Sequence, residues 1–254
     1  MAYNPAKAAA AIHRHMCVCK KHGYTQGAGR WGAAPGSCKV KSQGYTFMVP
    51  AGDYDCSSSV ITAWKLALSK TKRKGCLDGA TYTGNMRSVF TGSGLFRWKP
   101  MSYIAKTGDV YLNEANHTAM CQTAVPDVMS EFLINENGGI VGGRRGDQTG
   151  SESIVHGFRT YSFGWDGILE YVGGTFPNPN AYKDVKGNTH YRKPVIYTNP
   201  KACAVYRMKG GKKVKVRTAK AGCNWHVDMI GKKKVWARTK SGNYAHLSDL
   251  RKKK

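Results

Sequence analysis

The sequence predicts an α+β fold, with early helices packed on an antiparallel sheet and a small basic β module after it. Three observations predict it. Apolar residues recur at helical spacing over residues 5–21 and again just after Cys56. Short β-type runs separated by turn signals fill residues 107–171. Beyond residue 200, glycine-bounded β-like runs hold 17 Lys or Arg against two acids, Asp228 and Asp249. The chain of 254 residues, 41% hydrophobic, is long enough for one large domain or two modest ones.

In residues 5–21 the apolar stretch 8–12, Met16 and Val18 lie among basic residues, and Gly23 ends the pattern. Glycines continue through residues 27–32, and residues 33–44, with Pro35, Gly36 and Gly44, read as one long loop. Pro50, Gly52 and Asp53 extend the irregular chain up to Asp55-Cys56-Ser57-Ser58-Ser59. There Val60, Ile61, Trp64, Ala67 and Leu68 take up helical spacing, so Cys56 is expected where a loop enters a helix capped by Asp55 or a serine. Residues 70–74 form its basic end, and residues 81–90 suggest a second short helix.

Thr107-Gly108-Asp109 makes a turn into a strand beginning Val110-Tyr111-Leu112. A second strand opens at His117 and runs to Ala124. A third apolar stretch, 128–134, contains Glu131 and stops at Asn135-Glu136-Asn137-Gly138-Gly139. Residues 165–171 read as the last strand of this domain. The expected boundaries are a domain at 1–172, a Pro- and Asn-rich linker at 173–200 and a module at 201–254.

A net charge of +25 implies a polyanionic partner or surface: nucleic acid, anionic lipid or a charged wall polymer. Recognised DNA or RNA modules are absent, so nucleic acid is not the expected partner. No run of eighteen apolar residues suggests membrane insertion, and the N-terminus lacks a signal peptide's order of charge, apolar run and cleavage site. A soluble cytosolic chain, acting as a monomer, is the expectation. Eight cysteines in that setting point to reduced thiols. The tract His13, His15, Cys17, Cys19 has the composition of a metal site, but alternate positions share a face only on a strand, and this stretch reads as helix. No metal or other cofactor is expected.

A thiol at a helix start gains from unpaired N–H groups and the helix dipole, both of which favour the thiolate. His117, opening a strand, supplies the residue type that takes a thiol proton and returns it to a leaving amine. A third polar group must orient the imidazole. Glu131 is the first choice, because a charge inside an apolar run needs an explanation; Asn135 is the second. The oxyanion hole is expected from the Cys56 N–H with the Tyr54 hydroxyl. Asp55 and Ser57, which flank the sulfur, and Trp31, a groove aromatic, complete the candidate substrate-binding residues.

Tyr54-Asp55-Cys56-Ser57-Ser58-Ser59, Gly108-Asp109-Val110 and His117-Thr118-Ala119-Met120 together resemble the bacteriophage peptidoglycan hydrolases (endolysins) of the CHAP/NlpC-like cysteine peptidase superfamily, the phage amidase group in particular. His22-Gly23-Tyr24, Gly29-Arg30-Trp31, the Asn135-Gly139 turn, residues 146–152 and Trp165-Asp166 fit the same resemblance, which spans about residues 5–172. It implies a papain-like fold, amide-bond cleavage in peptidoglycan, and Cys56 and His117 as the catalytic pair. Some relatives use a second histidine as the third group, and none occurs here between His117 and His156, which leaves Glu131 or Asn135. Such hydrolases often carry a wall-binding module. Residues 201–254 resemble an SH3-type one, with Trp225, Trp236 and Tyr244 expected at an exposed surface that binds anionic or sugar polymers.

The function expected is therefore a phage endolysin, an N-acetylmuramoyl-L-alanine amidase held in the host cytoplasm until it reaches the wall. An endopeptidase cutting the stem peptide at D-glutamyl–diamino acid, or the cross-bridge, is the alternative on the same fold. A non-enzymatic polyanion binder is the alternative from another class.

Overall fold

The structure is a computed structural model that describes residues 2–174, 181–183 and 188–253. The chain divides into two compact units, one of residues 3–176 and one of residues 177–254 with 1–2.

The larger unit begins with α1 (Pro5–Val18), where the Asn4 side chain accepts from the N–H groups of Ala6 and Lys7 and Pro5 sits in the first turn. A hairpin follows, β1 (Ser37–Ser42) against β2 (Tyr45–Pro50), whose first strand and turn lie within the stretch 33–44 anticipated as one loop. The missed signal is period two: Cys38 and Val40 are buried while Lys39 and Lys41 are exposed. Gln43 and Gly44, at φ 52° and 84°, close the turn with the positive dihedrals that a two-residue hairpin requires.

Next come α2 (Cys56–Leu68) and α3 (Thr83–Gly92), then β3 (Phe96–Lys99), β4 (Val110–Asn113), β5 (His117–Ala124), β6 (Asp127–Phe132), β7 (Ser153–Gly157) and β8 (Gly167–Tyr171). The last six form one sheet in the order β3-β8-β4-β5-β6-β7, with every neighbouring pair antiparallel. The α+β expectation holds as a mixed helix and antiparallel-sheet architecture. Its two edge strands, β3 and β7, were not anticipated, because Arg97, Lys99 and His156 mask short half-buried runs.

Both faces of the central strands are covered. Val110, Leu112, Met120, Phe132 and Leu169 join the core under α1 and α2. Tyr111, Ala119, Cys121, Met129 and Ile168, the alternating set, pack with Trp165, Ala105, Met101, Tyr103 and Tyr161 on the opposite side. Burial on both sides is why all four residues of β4 and the first six of β5 are buried without alternation. Gly108, at φ 93°, lies where a Cβ would come within 2.7 Å of the Ala6 carbonyl oxygen, so the turn into β4 sits directly on α1. Its neighbour Asp109 is buried, accepting from the N–H groups of Lys106 and Tyr171 at 2.8 and 2.9 Å, so the Gly-Asp pair ties the turn to β8.

In the smaller unit β9 (Ala181–Lys183), β10 (Thr189–Thr198), β11 (Cys203–Lys209), β12 (Lys212–Ala219), β13 (Asn224–Ile230), β14 (Trp236–Thr239), β15 (Tyr244–His246) and β16 (Arg251–Lys252) make a second antiparallel sheet. Strand β10 occupies part of the span 173–200 anticipated as a linker; residues 175–180 and 184–187 of that span lie outside the described residues. Val205, Trp225, Val227, Ala237 and Ala245 belong to its core. No helix among the described residues is long and apolar enough to cross a membrane.

Candidate active site

Cys56 is the first residue of α2, and the residues around it are committed to holding it there. Asp55 is the N-cap: its carboxylate accepts from the Ser58 N–H at 2.5 Å and the Ser57 hydroxyl at 2.8 Å, while the Ser58 hydroxyl accepts from the Asp55 N–H. Arg30 adds an ion pair to the same carboxylate at 2.6 Å and donates to the Thr81 carbonyl. Asp55 and Ser57, anticipated as substrate-binding, are thus buried, Asp55 as the N-cap and Ser57 as a donor to its carboxylate. The Tyr54 hydroxyl donates to the Pro50 carbonyl at 2.7 Å and is fully buried, so it does not serve as the expected oxyanion donor.

The sulfur lies against the start of β5. Cys56 Sγ is 4.0 Å from the Asn116 carbonyl oxygen, and the Thr118 N–H points at it from the other side of His117. Burial pushes the thiol up to about 12, and the Asp55 charge adds to that rise; N–H groups of Thr118, Ser57 and Cys56 itself pull the other way. The helix start, expected to favour a thiolate, is outweighed by desolvation. At rest the nucleophile candidate is a protonated thiol.

His117 is buried and held by two aromatic rings and a carboxylate. Its ring stacks on Tyr161 (centroids 4.8 Å apart) and on Trp165 (5.7 Å). Its Nε2 is 2.6 Å from Glu131 Oε2, which leaves Nδ1 as the nitrogen not engaged by the carboxylate. Glu131, on β6 two strands from β4, is 1% exposed and collects three cationic or potentially cationic partners. His156 Nε2 meets Oε1 at 2.6 Å, and Arg159 reaches the same oxygen at 2.8–2.9 Å. Burial opposes the Glu131 charge, yet hydrogen bonds and charges from His117, Arg159 and His156 prevail and hold its carboxyl below the usual value.

Asn135, the second choice for the third position, is spent on the turn after β6. Its side chain donates to the Val141 carbonyl and accepts from the N–H groups of Asn137 and Gly139. Glu152 and Asp147 likewise accept from backbone, the former from Tyr24 and Gln148, the latter from Gly150. Trp31 is partly exposed, bridged by its backbone to Tyr54, with Arg30 and Lys65 over its ring.

Sequence reasoning did not reach His156, Arg159 or Tyr24. The first two stand near Glu131 only because β7 pairs with β6, Met129 opposite His156. Tyr24 pairs with Tyr54 through a parallel bridge, and its hydroxyl, accepting from Gln26 at 2.8 Å, is close enough to Cys56 for the two charges to interact. Only its place in the His22-Gly23-Tyr24 segment hinted at a role.

In the smaller unit the expected surface aromatics separate. Trp225 is buried, its indole N–H donating to Asn199 at 3.1 Å, and belongs to the core. Trp236 and Tyr244 stay half-buried in a cluster with His246, 4.0 Å from the Trp236 ring, and Tyr206, with Lys213 over both Trp236 and Tyr244.

Residues 3–125, just under half of the chain, match the family model described as endolysin-like domain. The match covers Cys56 and His117 and stops before Glu131. Among solved structures, the crystal structure of Ly7917 aligns over 95% of this chain and 92% of that chain at 12% identity, with a TM-score of 0.34. The crystal structure of Ly7917 with the hydrolyzing product of MDP aligns over 96% and 92% at 11% identity and the same TM-score. Similarity at that level carries no argument about the site. No curated protein matches the chain significantly.

Proposed function

We propose that the chain is a peptidoglycan hydrolase of the endolysin type, working through Cys56 and His117 on a papain-like domain. The observation that carries this reading is the arrangement at the start of β5: a thiol at a helix N-terminus against the backbone on both sides of a histidine whose far nitrogen is held by a buried carboxylate. The endolysin-like match over residues 3–125 supports the substrate class.

In this mechanism His117 Nδ1 takes the thiol proton as Sγ attacks the amide carbonyl. The Cys56 N–H, at the helix start, stabilises the oxyanion, with the Tyr24 hydroxyl as the second donor in place of Tyr54. Imidazolium returns the proton to the leaving amine and the C–N bond breaks, leaving a thioester. His117 then deprotonates a water that attacks the thioester, and the protonated sulfur leaves. Glu131 holds the ring and offsets its charge in both halves.

The bond cut is taken to be N-acetylmuramoyl-L-alanine, with a stem-peptide or cross-bridge endopeptidase as the alternative. The smaller unit is read as an SH3-like wall-binding module that uses Trp236, Tyr244, Tyr206 and its lysines on anionic polymers. Digestion of purified Gram-positive peptidoglycan by wild type and Cys56→Ala, with mass spectrometry of the released ends, tests the proposal. Cleavage by wild type alone supports it, and a new L-alanine N-terminus identifies the amidase. Cleavage retained in Cys56→Ala removes the nucleophile; no cleavage by wild type on several wall types favours the polyanion-binding alternative.

A further inference from the structure

The tract His13, His15, Cys17, Cys19 is split by α1 into two pairs that point to different places. His13 and Cys17 turn into the core: the His13 ring bridges Ser130 (2.6 Å) and Ser59 (3.0 Å), and Cys17 Sγ meets the Glu131 carbonyl. His15 and Cys19, also four residues apart, face the β1 strand instead. There a third residue, Cys38, meets them: one ligand atom from each of His15, Cys19 and Cys38 lies within 4.8 Å of the others. The two sulfurs are 3.6 Å apart. Tetrahedral zinc with bonds of about 2.3 Å would set two thiolates roughly 3.8 Å apart, so this spacing suits a shared cation with little movement.

Two orphaned nitrogens point the same way. His15 Nε2 is buried with no hydrogen-bond partner. So is Nε2 of His22, a residue that is 0% exposed and near enough to His15 for their charges to interact. The other His22 nitrogen, Nδ1, is 3.2 Å from the Gly52 carbonyl. A backbone carbonyl that fixes one ring N–H and leaves the opposite lone pair unpaired is the usual outer partner of a metal-bound imidazole. An apolar interior would give these nitrogens nothing in return for their lost water.

We infer that His15, Cys19 and Cys38 bind a soft divalent cation of the zinc type, with a shift of His22, which lies outside their 4.8 Å group, completing a Cys2His2 set. On binding, each thiol loses its proton and two S–metal bonds form; the two thiolates neutralise the dication, so nearby Lys21 does not oppose the loaded site. The site is separate from Cys56. It fastens the end of α1 to the β1–β2 hairpin and, through His22 and Gly52, to the segment 51–55 that delivers Cys56, which makes its role structural.

The test is titration of the reduced, metal-free full chain with Co(II), read by the thiolate-to-cobalt charge-transfer band and tetrahedral ligand-field bands, followed by displacement with Zn(II). One equivalent bound with those bands, and full displacement by zinc, is the expected result. Cys19→Ser and Cys38→Ser should each weaken binding more than ~100-fold, and His22→Ala about 10- to 100-fold. The double variant Cys203→Ser/Cys223→Ser, in the other unit, should bind as wild type. Absence of the bands in wild type overturns the proposal, whatever the variants do. So does their loss in the Cys203/Cys223 variant only, or a Cys19–Cys38 disulfide as the sole form in protein isolated without reductant.

Discussion

Glu131 Oε2 stands 2.6 Å from His117 Nε2, and the remaining Glu131 oxygen is taken by His156 and Arg159. One buried carboxylate thus fixes the tautomer and tilt of the imidazole while being fixed itself from β7 and the chain after it. A single-charge contact on a solvated surface contributes little. Here the pair is buried, and removing one partner strands the others.

Glu131→Gln should keep the fold and lower kcat/KM on peptidoglycan by about 10²–10⁴-fold, since a neutral amide can hold the ring in the wrong tautomer and does not offset imidazolium charge. Glu131→Ala should be at least as inactive and also less stable. Turbidity clearance of purified walls with circular dichroism on the same samples checks both. Full activity in Glu131→Gln would remove Glu131 from the proposed triad.

Stability should depend on pH through the same group. Its carboxyl is held below the ordinary glutamate value of 4.5, so the folded state binds fewer protons than the unfolded one as pH falls through that region. The contribution is present above about pH 4.5 and is lost on going lower. Urea unfolding of wild type and Glu131→Gln should therefore give a stability gap that is widest near neutrality and narrows from about pH 5 to pH 3. A gap independent of pH would contradict the ionised, paired carboxylate.

The Cys56 thiol is pushed up to about 12, so at neutral pH it should react with iodoacetamide more slowly than the exposed Cys223. Peptide mass spectrometry after timed alkylation resolves the two. Because the raised group keeps its proton when folded, its stabilising contribution is complete below about pH 9 and is lost as pH rises toward its folded value. Rapid, selective alkylation of Cys56 at pH 7 would show a preformed thiolate instead.

Trp225 and Trp236 should part company. Trp225→Ala removes a fully packed indole and should cost about 3–5 kcal/mol of stability in the smaller unit. Trp236→Ala, at a half-buried cluster edge, should cost clearly less and reduce retention of the chain on purified walls. Thermal unfolding and a wall pull-down separate the effects. Equal loss of stability in both would argue that Trp236 is core as well.

Much of this architecture is local in origin and legible as such. The start of α2 was readable from an Asp cap, a glycine-broken approach and apolar residues at helical spacing, all within a few residues of Cys56. The strands from Val110, His117 and Asp127 announce themselves through runs of buried residues between turns. The hairpin of β1 and β2 was lost because its alternation is carried by Cys and Lys, whose residue types do not advertise burial.

Residue types and their local spacing determined where α2 begins, that Cys56 heads it, that His117 opens a strand and that Glu131 lies inside one. Chain pairing decided the rest. Antiparallel register brought His156 to Glu131, and the packing of α1 on the hairpin brought Cys38 to His15 and Cys19. Tertiary burial also reversed two expectations, raising the Cys56 thiol and sinking Trp225 into a core. Spacing along a chain encodes which face a side chain takes, but proximity between distant segments and the loss of water around a group come only from how the segments pack.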